Sequence, residues 1–147
     1  MEINGVAHVI LTVRDMATSR PFYRALLSHF GLAQIIDSEG YLYFVGGRTA
    51  VGIRPAAAAG AEHRFDQQRC GLHHVCFRAR SREDVDSVFA LVTRLGATVV
   101  HAPEDGPWVP GYYSVLFEDP DGIRLEVNHV PGKGVFEPGV VRRGDAG

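Results

Sequence analysis

The sequence predicts an α+β fold made of two tandem βαβββ modules. Three observations predict it. A β-branched run, a helically spaced stretch and a set of short β-rich runs occur in that order, and then occur again. Glycine follows each helical stretch, as Gly31 and as Gly96. The halves also overlay. Sliding one by 66 positions sets Gly5 on Gly71, His8 on His74, Val9 on Val75, Leu11 on Phe77 and Tyr23 on Phe89. Self-similarity at a fixed offset marks an internal duplication.

The elements follow in order. Val6–Val13 reads as a strand interrupted by His8. Phe22, Ala25, Leu26, His29 and Phe30 then recur at helical spacing. Pro21 lacks an N–H, so it fits only in a first helical turn. The helix is therefore expected from about Thr18, with Asp15 or Thr18 as its cap. Leu32–Asp37, Tyr41–Val45 and Thr49–Arg54 read as three strands separated by Gly40 and Gly46-Gly47. Pro55–Gln68 is Ala-rich and then polar, with no apolar period, and reads as a linker with room for one helical turn. Leu72–Ala79 is again a strand carrying histidine. Ser81–Gly96 is a helix whose Ser81 and Asp84 resemble a capping box. Thr98–His101 is a strand, and Ala102–Gly111 a Pro-rich loop holding Trp108. Ser114–Phe117 and Ile123–Val127 close the half as a hairpin around Asp119-Pro120-Asp121-Gly122. The implied boundaries are 3–55 and 70–130 for the modules, 56–69 for the linker and 131–147 for a tail.

Composition narrows the function classes. The 147 residues are 46% apolar and 22% charged, ordinary for one globular domain. A net charge of -2 without a basic stripe leaves no footprint for nucleic acid. No apolar run is long enough for a membrane span. Met1–Gly5 lacks the basic-then-apolar form of a signal peptide, so a cytoplasmic protein is expected. Cys70 and Cys76 match no zinc or redox spacing, and Cys76 in its apolar run is expected to be a buried thiol.

One histidine in an apolar strand is ordinary core chemistry. Two at equivalent places in a duplication carry more information. If the modules pack about a pseudo-twofold axis, His8 and His74 face one concave cup. Glu126 alternates away from Leu125 and Val127, so it shares that cup or sits as a solvated edge charge. Its counterpart in the first module, counted from Phe44 and Phe117, is Ile53 to within one place. Two imidazoles and a carboxylate with open positions suit a divalent first-row metal that does chemistry. His63, His73, His101 and His129 have no repeat partner and read as surface or supporting residues.

The segments HVILTVRD, SRPFYRALL, GLHHVCF and LFEDPDGIRLEV resemble, in order, the vicinal oxygen chelate superfamily. That family includes glyoxalase I, extradiol dioxygenases, methylmalonyl-CoA epimerase and the fosfomycin- and bleomycin-resistance proteins. The resemblance covers about residues 3–130. It implies a cup-shaped, half-barrel mixed sheet with the helices outside. It also implies a divalent ion (Fe, Mn, Ni or Zn) that chelates two oxygens of a small-molecule substrate and acts as a Lewis acid. His8, His74 and Glu126 fall on the family's metal positions, and Glu126 is also the catalytic candidate. Members of this size commonly form homodimers.

The departures from the family bear on the reaction. Ile53 stands where glyoxalase I has a carboxylate and the epimerase a polar ligand, which argues against both. Ile53 is expected to point into the cup and leave a coordination position to substrate. Leu116 replaces a tyrosine that dioxygenases and fosfomycin-resistance proteins carry before the turn. Trp108, Tyr112 and Tyr113 are expected to cover the site. The expected function is a metal-dependent enzyme acting on a small oxygenated substrate, with lyase, isomerase and dioxygenase chemistry all open. The alternative is a protein that sequesters an aromatic antibiotic, as bleomycin-resistance proteins do.

Overall fold

The structure, a computed structural model, describes residues 2, 3 and 5–132. The expected tail lies outside the described residues from position 133 onward. The element order is β1 (His8–Val13), α1 (Met16–His29), β2 (Ala33–Asp37), β3 (Leu42–Gly46), β4 (Thr49–Pro55), a 3-10 turn (Ala58–Gly60), β5 (Val75–Arg78), α2 (Arg82–Arg94), β6 (Thr98–Asp105), β7 (Tyr113–Glu118) and β8 (Arg124–His129). This is βαβββ twice. The strands form two four-stranded sheets, ordered β1-β4-β3-β2 and β5-β8-β7-β6. In each, the first strand pairs parallel to the last and the remaining pairs are antiparallel. The chain divides into two compact units, Met1–Phe65 with Pro120–Gly122, and Asp66–Asp119 with Ile123–Gly147. No described helix is long and apolar enough to cross a membrane.

In the first unit, Leu11 and Val13 of β1, Leu42 and Phe44 of β3, and Val51 and Ile53 of β4 are buried. They alternate onto one sheet face, where α1 contributes Phe22, Tyr23, Leu26 and Leu27. The helix begins earlier than the sequence suggests. Asp15 caps it by accepting from the N–H groups of Ala17 and Thr18. Pro21 therefore lies inside the helix, and one backbone bond is forgone there. The Pro120–Gly122 turn belongs to this unit. The buried Asp121 carboxylate accepts from Arg14 N and Arg14 Nε, both at 2.7 Å, and its carbonyl accepts from Phe65 N.

In the second unit, Val115 and Phe117 of β7 and Leu125 and Val127 of β8 share a buried face, and α2 contributes Val85, Val88 and Val92. The expected capping box is present: Ser81 Oγ accepts from Asp84 N, and Asp84 accepts from Ser81 N. Both helices end in the same way. Gly31 and Gly96 take positive φ (76° and 73°), and Leu32 N and Ala97 N reach back to Leu27 O and Val92 O. Strand β6 runs to Asp105, four residues beyond the expected end, because it resumes pairing with β7 after irregularities around His101.

Candidate active site

The second unit gathers the candidate site residues His74, Tyr112 and Glu126 on the sheet face opposite its core. Along β8, Leu125 and Val127 enter the core, so Arg124, Glu126 and Asn128 point the other way. The register places Cys76 of β5 and Leu116 of β7 on either side of Glu126. His74 stands just before β5, and its Nε2 lies 3.1 Å from Glu126 Oε2. On the other carboxylate oxygen, the Tyr112 hydroxyl donates to Oε1 at 2.5 Å.

Glu126 is only 8% exposed. A carboxylate that far from water needs compensating donors, and it has one on each oxygen. An ionised carboxylate only accepts, so His74 Nε2 donates to it. In a neutral His74 the remaining Nδ1 then accepts from His73 Nδ1, 2.8 Å away. Desolvation first, and then the bond to Glu126, raise the pKa of the Tyr112 phenol above its ordinary value. Cys76 differs from expectation. It is a free cysteine on the site face with exposed surface, not a core thiol, because β5 turns Val75 and Phe77 inward instead. Loss of water around its sulfur, and then the nearby Glu126 charge, push its thiol up to about 12. It is a neutral thiol at physiological pH.

The His74–Glu126 pair fits a divalent ion. Two ligands at ~2.1 Å from a first-row ion and at right angles to each other stand ~3.0 Å apart, close to the 3.1 Å found here. Among the described residues no group of three or more His, Cys, Asp or Glu side chains is gathered closely enough to hold a metal. The second unit therefore supplies two adjacent donors, not a complete set.

The other expected site residues divide. His8 opens β1 of the first unit, exposed and in register with Ala50, on the face opposite Leu11 and Val13. Ile53 is fully buried in that unit's core, in register with Leu11 and Leu42, so it does not line the site face. The register corrects the alignment by one residue. Cys76 pairs with Glu126 two places after His74, and Ile10 pairs with Gly52 two places after His8. Gly52, not Ile53, is the counterpart of Glu126. The conclusion that the first unit offers no carboxylate there is unchanged. Tyr113 is also corrected. It shares the α2 face, donates to Asp86 Oδ1 at 2.7 Å and lies under the Arg82 guanidinium, 3.7 Å from its ring centre. Trp108 is 55% exposed. A Cβ on Gly106 would stand 2.7 Å from the Tyr112 ring and 3.3 Å from Trp108 Cδ1, so both rings pack against that glycine. Sequence reasoning put Tyr112 over the site but did not find its bond to Glu126. The signal available was only a tyrosine at the loop end, 14 residues before the glutamate.

The sequence pattern of the Glyoxalase/Bleomycin resistance protein/Dioxygenase superfamily matches residues 5–127. Among curated proteins, the uncharacterised protein YqjT of Bacillus subtilis is 29% identical over 122 residues, spanning 82% of this chain and 94% of its own. A solved structure from Bacillus halodurans, provisionally assigned as a glyoxalase, superposes with a TM-score of 0.75 at 25% identity, over 86% of this chain and 96% of that one. Lactoylglutathione lyase from Agrobacterium tumefaciens superposes with a TM-score of 0.63 at 25% identity, over 88% and 96%. The matched stretch runs through both βαβββ units and takes in His8, His74 and Glu126, and on that ground the chain belongs to the Glyoxalase/Bleomycin resistance protein/Dioxygenase superfamily.

Proposed function

We propose that the chain is a metal-dependent enzyme acting on a small oxygenated substrate. His74 and Glu126 would hold the ion, with His8 as a further ligand by the family resemblance. The observation that carries this reading is the pair itself: a buried carboxylate oxygen faces an imidazole nitrogen at 3.1 Å, hydrogen-bonded without an ion and spaced as neighbouring ligands would be once His74 Nε2 gives up its proton to an ion. A bound divalent ion would supply Lewis-acid stabilisation of charge developing on substrate oxygens. Glu126 contributes the negative charge that favours a cation over a neutral guest. Leu116, beside Glu126 on the same face, and the exposed Trp108 offer the substrate apolar surface. With Gly52 as the register counterpart of Glu126, the reaction is proposed to be one other than that of lactoylglutathione lyase. A homodimer is part of the proposal, on the family resemblance, and sedimentation at micromolar concentration checks it.

The exposed Trp108 favours a second reading, sequestration of an aromatic small molecule. One experiment separates the two. Trp108 is the single tryptophan, so its fluorescence reports on this region. Protein purified without a histidine tag is stripped of metal and titrated with Co²⁺ or Mn²⁺. One equivalent should bind, and Glu126→Gln and His74→Ala should each weaken binding at least tenfold. Absence of metal binding, together with quenching of Trp108 by planar aromatic compounds, would overturn the enzyme reading in favour of sequestration.

A further inference from the structure

We infer that Tyr112 is a positioning residue for Glu126: its hydroxyl reserves Oε1, so that Oε2 alone is presented to an ion beside His74 Nε2. The inference rests on the metal reading above and names a residue which that reading does not require. Two observations carry it. The Tyr112 hydroxyl donates to Glu126 Oε1 at 2.5 Å, and His74 Nε2 faces the other oxygen at 3.1 Å, so the two oxygens have different partners. The backbone holds the ring in place: Gly106 N donates to Tyr112 O at 2.9 Å, and Tyr112 N donates to Val109 O at 3.1 Å. Gly106 has no side chain where a Cβ would stand 2.7 Å from the ring. The loop is thus built around this tyrosine.

The physical consequence concerns how the carboxylate binds. A free carboxylate can chelate an ion through both oxygens. One whose Oε1 is engaged by a phenol favours binding through Oε2, with its plane oriented by that bond and its charge density reduced. Partners behind a ligand typically alter metal affinity ~10–100-fold when removed. Tyr112→Phe deletes the donor and keeps the ring packed on Gly106.

The test uses the full chain and Co²⁺, whose visible d–d spectrum reports ligand number and geometry. Tyr112→Phe should fold, bind Co²⁺ with affinity changed at least tenfold, and show a shifted spectrum. Tyr113→Phe, whose hydroxyl is committed to Asp86, should match the wild type in both. A wild-type spectrum and affinity in Tyr112→Phe would overturn the inference. If the wild type binds no Co²⁺, the metal reading fails and takes the ion-presenting part of this inference with it; a second measurement then tests the anchoring of Glu126 by Tyr112 separately. In metal-free protein, urea midpoints of Tyr112→Phe, Glu126→Gln and the double variant should be non-additive, which supports Tyr112 as the anchor of Glu126. Additive midpoints would overturn it.

Discussion

Gly52 is where the first unit is expected to resist a ligand like Glu126. The register makes it the counterpart of Glu126, in a central strand flanked by β1 and β3. A Cβ at position 52 would stand 2.9 Å from Leu42 O, 2.9 Å from Tyr43 Cδ2 and 3.0 Å from Ile10 Cδ1. The first of these is backbone within the β-ladder and cannot rotate away. Gly52→Ala is therefore an overpacking substitution. Such changes cost ~1–3 kcal/mol, and ~2–4 °C of melting temperature per kcal/mol at this size gives a fall of about 2–12 °C. Gly52→Glu carries the same crowding and adds a charge, so it should fall at least as far. Circular dichroism melts of the wild type and both variants measure this, with Co²⁺ titration alongside. A Gly52→Ala midpoint equal to or above the wild type would refute the crowding argument. The missing carboxylate would then need an explanation other than strand packing.

Ile53→Ala should cost ~2–5 kcal/mol, as a buried aliphatic truncation does, and leave Co²⁺ affinity unchanged, because the side chain lies in the α1-facing core. In a Cys70→Ser background, Cys76 should react slowly with a disulfide reagent at pH 8. A thiol moved from 9.0 to about 12 carries roughly a thousandfold less thiolate there. Glu126→Gln should speed that reaction by removing a nearby negative charge. The same shift sets an alkaline limit. The unfolded chain releases the Cys76 proton near 9.0 while the folded chain keeps it to about 12, so stability should fall as pH rises through that window. Cys76→Ala should flatten the decline in urea midpoint between those values, and an unchanged slope would count against the shift.

The sequence by itself determined the elements that local chemistry controls. Ser81 and Asp84 can cap only the helix they begin, and Gly31 and Gly96 permit the left-handed turn that ends each helix. Alternation along one strand was enough to set Glu126 apart from Leu125 and Val127. The duplication then linked His74 to His8. The tertiary structure decided whatever depends on a neighbouring strand. Alternation fixes which residues share a face within one strand but not which residue lies opposite on the next, so Ile53 and Gly52 could not be separated without the β1–β4 register. Tyr112 and Tyr113 are adjacent and look alike in sequence. One bonds to Glu126 and the other to Asp86, because β7 begins at Tyr113 and assigns it to the α2 face. Cys76 looked like a core residue because its neighbours are apolar, but strand phase turned Val75 and Phe77 inward and left the thiol beside the carboxylate. Each of these outcomes follows from hydrogen bonding between strands distant in sequence, and no property of a single strand encodes it.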